Sequence, residues 1–110
     1  MTSLHYGIVD LTQGNINNDH LYLASIMWLF PAACIGGSSE AERAPQLIEV
    51  HSGIGDPVST DIAGDKKIFR KRAWVGQFFQ VHRLQAGDQV VVERTGPSRY
   101  HVYPLRAPRP

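Results

Sequence analysis

Hydrophobic and polar positions follow two different periods along this chain, and the change between them separates predicted strands from predicted helices. Short segments rich in strand-forming residues, bounded by turn residues, predict strands over residues 5–11, 20–23, 45–51 and 58–62. From Arg72 the period becomes helical. One face of this predicted helix carries Trp74, Val75, Phe78, Phe79 and His82. We therefore expect its three aromatic side chains to pack in the core.

The last part of the chain predicts a β-hairpin. A Gly87-Asp88 turn precedes residues 89–94, which read QVVVER, and a run of three valines suggests a strand buried on both faces. Residues 95–98 supply the turn, and residues 99–105 return as the second strand.

The first third of the chain has less regular patterning. Residues 12–19 include a glycine and three asparagines, which predicts a polar loop. Residues 26–30 predict a short helix, capped by Ser25 and ended by Pro31. Six or seven short strands with two brief helices indicate a mainly β protein, in the form of a closed or partly closed barrel.

Length and cysteine content narrow the class of protein. At 110 residues we expect one domain, with a core over residues 5–105 and a frayed tail over residues 106–110. The single cysteine, Cys34, excludes an internal disulfide and favours a reducing compartment, as a buried thiol. The sequence shows no signal peptide and no apolar run of about 20 residues. We therefore expect a cytoplasmic protein without a membrane partner.

Charge is distributed unevenly along the chain. There are 11 Lys and Arg residues against 10 Asp and Glu residues, yet ten of the cations and only two of the acids lie in residues 66–110. Five cations fall within residues 66–72: Lys66, Lys67, Arg70, Lys71 and Arg72. This asymmetry can create a basic face on a nearly neutral protein, unless the fold intermixes the two halves.

Three segments resemble a known family. They are residues 23–31 (LASIMWLFP), residues 73–79 (AWVGQFF) and residues 84–92 (LQAGDQVVV). Their order is similar to that of plant B3 DNA-binding domains and of the related recognition domains of bacterial restriction endonucleases. The looser similarity covers about residues 5–105. Two positions depart from the pattern: Ala73 stands where many plant members have glycine, and Val92 stands where an aromatic residue is frequent.

The resemblance implies an open, seven-stranded pseudobarrel with two short helices. It also implies sequence-specific binding of double-stranded DNA, with two arms that clamp the major groove. Such a domain would serve as the recognition module of a restriction-modification type protein, and a nuclease domain or subunit is a further expected partner.

The first arm implied by the resemblance follows the first strand. Its candidate DNA-binding residues are Gln13, Asn15, Asn17, Asn18, Asp19 and His20. Asn and Gln side chains can pair bidentately with adenine, and short side chains on a loop can reach the floor of a groove. The alternative is a simple turn, since asparagine tolerates left-handed backbone conformations.

The second arm lies between residues 59 and 72. Its candidate DNA-binding residues are Thr60, Asp61, Asp65, Lys66, Lys67, Arg70 and Arg72. The cations suit phosphate contacts, one arginine could read guanine, and an aspartate could accept from cytosine. If residues 67–71 form a strand, one face must pack inward, so only three or four of the five cations are expected to reach DNA. The alternative is a solvated charged surface.

The sequence contains no convincing catalytic arrangement. It lacks acidic metal ligands beside a lysine, a nucleophile elbow and a phosphate-binding glycine loop with lysine. We expect a DNA-binding protein rather than an enzyme, with no cofactor and no metal. A small β-barrel that binds a ligand or a protein is the alternative, and a small hydrolase or nuclease is less favoured.

Overall fold

A computed structural model describes residues 5–105 of the chain, and the tail predicted to fray lies outside them. The described part contains eight strands and two α-helices, with 3₁₀ helices at Ala24–Leu29, Ala32–Cys34 and Glu40–Glu42. The strands are β1 (Tyr6–Asp10), β2 (Ile35–Gly36), β3 (Ile48–His51), β4 (Val58–Thr60), β5 (Ile62–Ala63), β6 (Ile68–Phe69), β7 (Gln89–Gly96) and β8 (Arg99–Leu105). The helices are α1 (Gln13–Asn18) and α2 (Ala73–Val81). The prediction of a mainly β protein is confirmed.

The larger sheet has five strands in the order β1-β7-β8-β3-β4. Strands β7 and β8 form the predicted antiparallel hairpin, with a register shift between Arg94 and Gly96. The three valines of β7 are all buried, as the apolar run predicted. Strand β3 runs parallel to β8, which makes the sheet mixed.

The smaller sheet has the order β2-β5-β6 and is also mixed, because β2 pairs in parallel with β5. Strands β5 and β6 form a hairpin whose turn is residues 64–67. Within residues 5–105 the two sheets do not close into a single barrel. They share one core: the Phe30 ring lies 5.9 Å from that of Phe69 on β6 and 4.9 Å from that of Tyr100 on β8.

Helix α2 confirms the helical period of the sequence. Trp74, Val75, Phe78 and Phe79 are buried, so the aromatic residues form core rather than an exposed stacking platform. The Trp74 indole N–H donates to the Lys71 carbonyl at 2.8 Å, which satisfies the polar atom of this side chain. Cys34 is fully buried, as expected.

Three local predictions are wrong. Residues 12–18 are not an open loop, because α1 forms there behind a cap at Thr12. Residues 20–23 do not form a strand; only an isolated bridge joins Tyr22 to Ile68. Ser25 does not cap the following 3₁₀ helix, which begins after Leu23 with no side-chain cap. The first outcome follows from the cap at Thr12, and in the second the pairing of Tyr22 with the distant Ile68 replaces a strand.

Among the helices of residues 5–105, none combines the length and the apolar character needed to cross a bilayer.

Candidate nucleic-acid interface

Helix α1 forms most of the first predicted arm and places one of its polar residues inside the protein. Asn15 is buried, and its side-chain oxygen accepts from the Thr12 N–H at 2.7 Å and from the Thr12 hydroxyl at 3.0 Å. Its amide nitrogen donates to the His20 carbonyl at 2.9 Å. Asn15 therefore holds the two ends of α1 together and is not positioned to contact a base.

The other amides of α1 face solvent. Gln13, Asn17 and Asn18 are exposed. Gln13 donates to the side-chain oxygen of Asn17 at 2.9 Å, and Asn18 donates to the Gly14 carbonyl at 3.0 Å. These bonds are on the surface, where exchange for contacts with another molecule costs little. Three of the predicted amides therefore remain able to read a ligand.

The end of α1 packs closely on α2. Asp19 adopts a left-handed conformation (φ 52°) and donates its backbone N–H to the Asn15 carbonyl. A Cβ placed on Gly76 of α2 would lie 2.9 Å from the Asp19 carboxyl carbon. Because Gly76 has no Cβ, the end of the first arm can approach α2 this closely.

His20 connects the two arms directly. Its Nε2 lies 2.7 Å from Nη1 of Arg72, and its Nδ1 lies 3.2 Å from the Tyr22 hydroxyl. Because the guanidinium can only donate, Nε2 must accept and Nδ1 must carry the proton. This tautomer lets Nδ1 donate to Tyr22, a residue that the sequence pattern did not single out.

The electrostatic environment favours neutral His20. Burial lowers the pKa of this imidazole, and the charges of Arg72 and Lys66 lower it further, while Asp19 opposes them. The histidine is therefore a hydrogen-bond acceptor for Arg72 at neutral pH. Lys66 and Arg72 both lie near enough to His20 to lower its pKa.

The second arm is the β5–β6 hairpin with the segment that leads into α2. Asp65, Lys66 and Lys67 are exposed in the turn, and Lys67 has a left-handed φ of 57°. The Lys67 carbonyl accepts from the Leu23 N–H at 2.8 Å, and this bond ties the hairpin to the chain that follows the first arm. Lys71 and Arg72 are also exposed.

Arg70 is not available as the sequence predicted. Its Nε lies 2.7 Å from Oδ1 of Asp61, and its Nη2 lies 3.0 Å from Oδ2. The same guanidinium donates to the carbonyls of Gly37 at 2.8 Å and Ser39 at 3.0 Å. Arg70 therefore fastens the segment after β2 to the small sheet.

Asp61 and Thr60 are buried beside this arginine. Asp61 also accepts from the Ala44 N–H at 2.7 Å. Burial raises the pKa of Asp61, but the hydrogen bonds from Arg70 and Ala44 outweigh it, and the net pKa lies below its usual value. Thr60 accepts from the Lys71 N–H at 2.9 Å and donates to the Asp61 carbonyl at 3.0 Å. Both side chains are fully engaged within the protein.

The predicted alternation over residues 67–71 is also wrong. Ile68 and Phe69 are both buried, so β6 has no solvent face. The cations of this segment lie before and after β6, at residues 66–67 and 70–72. Four of the five cations expected in this segment are nevertheless exposed: Lys66, Lys67, Lys71 and Arg72.

We call these four cations, with Gln13, Asn17, Asn18 and His20, the basic surface. An open cleft of about 730 Å³ adjoins it between residues 54–59 and the start of α2. Its polar lining comes from Asp56, Ser59, Lys71, Arg72 and Gln77, and its apolar lining from Ile54, Pro57, Val58 and Trp74. The arrangement combines exposed cations, exposed amides and a recess, which suits a polyanion better than a small apolar ligand.

Comparison with models of known protein families gives no match for this chain, and comparison with curated proteins gives none either. Over residues 5–105, no group of three or more His, Cys, Asp or Glu side chains has the geometry to hold a metal ion.

Proposed function

We propose that this protein binds double-stranded DNA sequence-specifically, with the basic surface placed against the major groove. Lys66, Lys67, Lys71 and Arg72 would contact phosphates, and the amides of Gln13, Asn17 and Asn18 would read base edges. Four other candidate residues would stabilise the fold instead of contacting DNA: Asn15, Thr60, Asp61 and Arg70. Asp65 and Asp19 would border the contact, where a carboxylate can accept from cytosine or repel a phosphate.

The hydrogen bond between His20 and Arg72 is the observation that carries this proposal. It brings residues that are 52 positions apart in the sequence to the same place. A groove-binding protein needs amides that read bases beside cations that hold the backbone, and neither segment alone supplies both.

We also propose that the two sheets correspond to a B3-like pseudobarrel. Only Asp61 separates β4 from β5, and counting these as one bent strand gives seven. The aromatic contacts of Phe30 with both sheets support one shared core. On this basis the chain would be a recognition module of a restriction-modification type protein that acts together with a nuclease domain or subunit, and would not itself be an enzyme.

The salt dependence of binding tests the proposal. With about four phosphates neutralised, affinity for duplex DNA should fall by roughly 10² between 50 and 200 mM salt. Selection from a random duplex library, followed by fluorescence anisotropy on the enriched sequence, measures both affinity and specificity. An enriched motif with a steep salt slope is expected; no enrichment, or a flat slope, contradicts the proposal.

Substitutions separate base reading from phosphate contact. Asn17→Ala and Asn18→Ala should weaken binding to the selected site while leaving random duplexes unaffected. Lys66→Ala and Lys67→Ala should weaken binding to all duplexes alike and lower the salt slope by about one. If the two sets behave identically, the assignment of roles to the arms is wrong.

The open cleft beside Arg72 favours one alternative, a small β protein that binds a ligand or a protein segment. Its volume of about 730 Å³ lies within the range of ligand pockets. Binding of a small molecule that protects Trp74 fluorescence from quenching, together with no binding to any duplex, would favour this alternative.

A further inference from the structure

Strand β1 is at the edge of the larger sheet, and one set of its backbone groups faces outward. The Leu11 N–H donates to the Asp88 carbonyl at 2.8 Å, and the Arg94 N–H donates to the His5 carbonyl at 2.6 Å. Both bonds follow the register of β1 with β7. Odd-numbered residues of β1 therefore bond to β7, and the N–H and C=O groups of the even-numbered residues point away from the sheet.

The outward groups belong to Tyr6, Ile8 and Asp10, and no other described residue bonds to their backbone. The two apolar side chains are exposed, Tyr6 by 46% and Ile8 by 39%. Gly7, which has the opposite orientation, packs on Ile26 on the core side of the strand. The core-facing side of β1 is therefore covered, while its edge is open within residues 5–105.

Ile8 also begins an apolar row on the outer face of the sheet. It is directly opposite Val91 of β7, and Val91 is directly opposite Tyr103 of β8. Side chains at such directly opposite positions are close enough to pack together. The row therefore reaches the open edge of the sheet at Ile8.

We propose that a second copy of this chain pairs its β1 antiparallel to this edge, about a twofold axis at Ile8. In this register Ile8 is opposite Ile8 of the second copy, and Tyr6 is opposite Asp10. In this register each of Tyr6, Ile8 and Asp10 is opposite a residue whose backbone N–H and C=O also point outward. All three residues of each strand can therefore form backbone hydrogen bonds with the other strand. The two sheets become one, and the apolar row continues across the axis.

The chemistry of the strand favours a second copy as the occupant. Asp10 is the only charged residue of β1, and the antiparallel register keeps the two Asp10 carboxylates at opposite ends of the interface. Each is placed opposite a tyrosine, whose hydroxyl is a donor for a carboxylate. An isologous contact of this kind closes after two chains, so it predicts a dimer and not a fibre.

The contact is short, so the dimer should be weak and should require concentrations far above those of a tight complex. Sedimentation equilibrium of the intact chain from about 5 to 500 µM should show a monomer–dimer equilibrium. Ile8→Lys places two like charges opposite each other and should give a monomer throughout. Val81→Lys is the matched control: Val81 is 56% exposed on α2, and its replacement should leave the equilibrium unchanged.

Crosslinking tests the register itself. With a short thiol-reactive crosslinker that spans about 8 Å, Ile8→Cys should give a covalent dimer, because paired residues lie about 5.5 Å apart between Cα atoms. Tyr6→Cys should not, because the two copies of that position would be about 14 Å apart along the strands. Cys34 is buried and provides no competing thiol.

A monomer at every concentration would overturn the proposal, as would crosslinking at position 6 in preference to position 8. Binding of DNA by a chain that remains monomeric would contradict the dimer while leaving the proposed function intact. Self-association that Ile8→Lys does not affect would assign the dimer to another surface.

Discussion

The His20 imidazole accepts a hydrogen bond from the Arg72 guanidinium at 2.7 Å, and this contact joins the first arm to the start of α2. It does so without neutralising the arginine, because the histidine contributes a lone pair and not a negative charge. Arg72 is therefore oriented while its full charge remains available to an anion. Arg70, two residues earlier, is held by the carboxylate of Asp61 instead.

This difference predicts opposite outcomes for two neighbouring arginines. Arg72→Gln should reduce affinity for duplex DNA with little change in the free energy of unfolding, because the side chain is exposed. Arg70→Gln should lower the free energy of unfolding by about 3 kcal/mol, since it leaves the buried Asp61 carboxylate uncompensated. Urea unfolding and anisotropy on both variants make the comparison. Equal destabilisation by the two substitutions would contradict these roles.

The buried carboxylate gives the protein a predictable acid sensitivity. The pKa of Asp61 is lowered in the folded state, so its stabilising effect is complete above the unfolded pKa of about 3.9 and is lost as pH falls through the lower folded value. Asp61→Asn should therefore be clearly less stable than the natural chain at pH 7, and the difference should shrink below about pH 4.

Urea unfolding at several pH values measures this difference, and Asp56→Asn is the matched control. Asp56 is exposed in the loop before β4, so its replacement should change the free energy of unfolding little. A stability gap for Asp61→Asn that stays constant down to pH 3 would show that the carboxylate is not the titrating group.

DNA binding should become tighter as the solution is acidified from pH 7.5 to 6. The pKa of His20 is lowered by burial and by Arg72 and Lys66, and a phosphate placed against these cations would raise it again. Binding would then take up a proton, which converts Nε2 from an acceptor for Arg72 into a donor for the phosphate, with at most about a tenfold gain in affinity per pH unit. His20→Gln keeps an acceptor for Arg72 and should lose this pH dependence. Anisotropy at constant ionic strength is the measurement, and an unchanged pH profile in the variant would exclude His20 as its source.

In the free protein, acidification should act through His20 to destabilise the fold, whereas it strengthens DNA binding. Because its folded pKa lies below the unfolded value of about 6.5, the unfolded chain binds the proton more readily, and stability falls as pH drops through 6.5. His20→Gln should remove this part of the stability profile. Chemical unfolding without DNA therefore distinguishes a titrating His20 from an effect of the nucleic acid itself.

Gly76 should be more important for binding than for stability. An alanine there would gain about 1 kcal/mol of helix propensity, but its Cβ would lie within 2.9 Å of the Asp19 carboxyl carbon and would displace the end of α1. We expect a modest change in melting temperature together with a loss of DNA affinity. Gln80→Ala, at an exposed position of the same helix outside the cleft, is the control for a general effect of alanine. Unchanged affinity in Gly76→Ala would show that the first arm does not depend on this contact.

The sequence by itself determined the elements that carry a strong pattern of hydrophobic residues or are stabilised by local interactions. The valine run of β7 specified a strand buried on both faces, and the helical spacing of Trp74, Phe78 and Phe79 specified α2 and its buried side. Burial of apolar area stabilises these elements in any arrangement that provides a core, so periodicity alone was sufficient to predict them.

Only the tertiary structure decided which polar residues remain free. Arg70 and Arg72 have the same chemistry in sequence, yet one meets Asp61 and the other meets His20. Asn15 and Asn17 are both amides in one short helix, yet Asn15 closes the helix ends and Asn17 faces solvent. The fate of a charge or an amide depends on partners brought near by the fold, and the free energy of each such contact is set by burial and geometry that no local pattern contains.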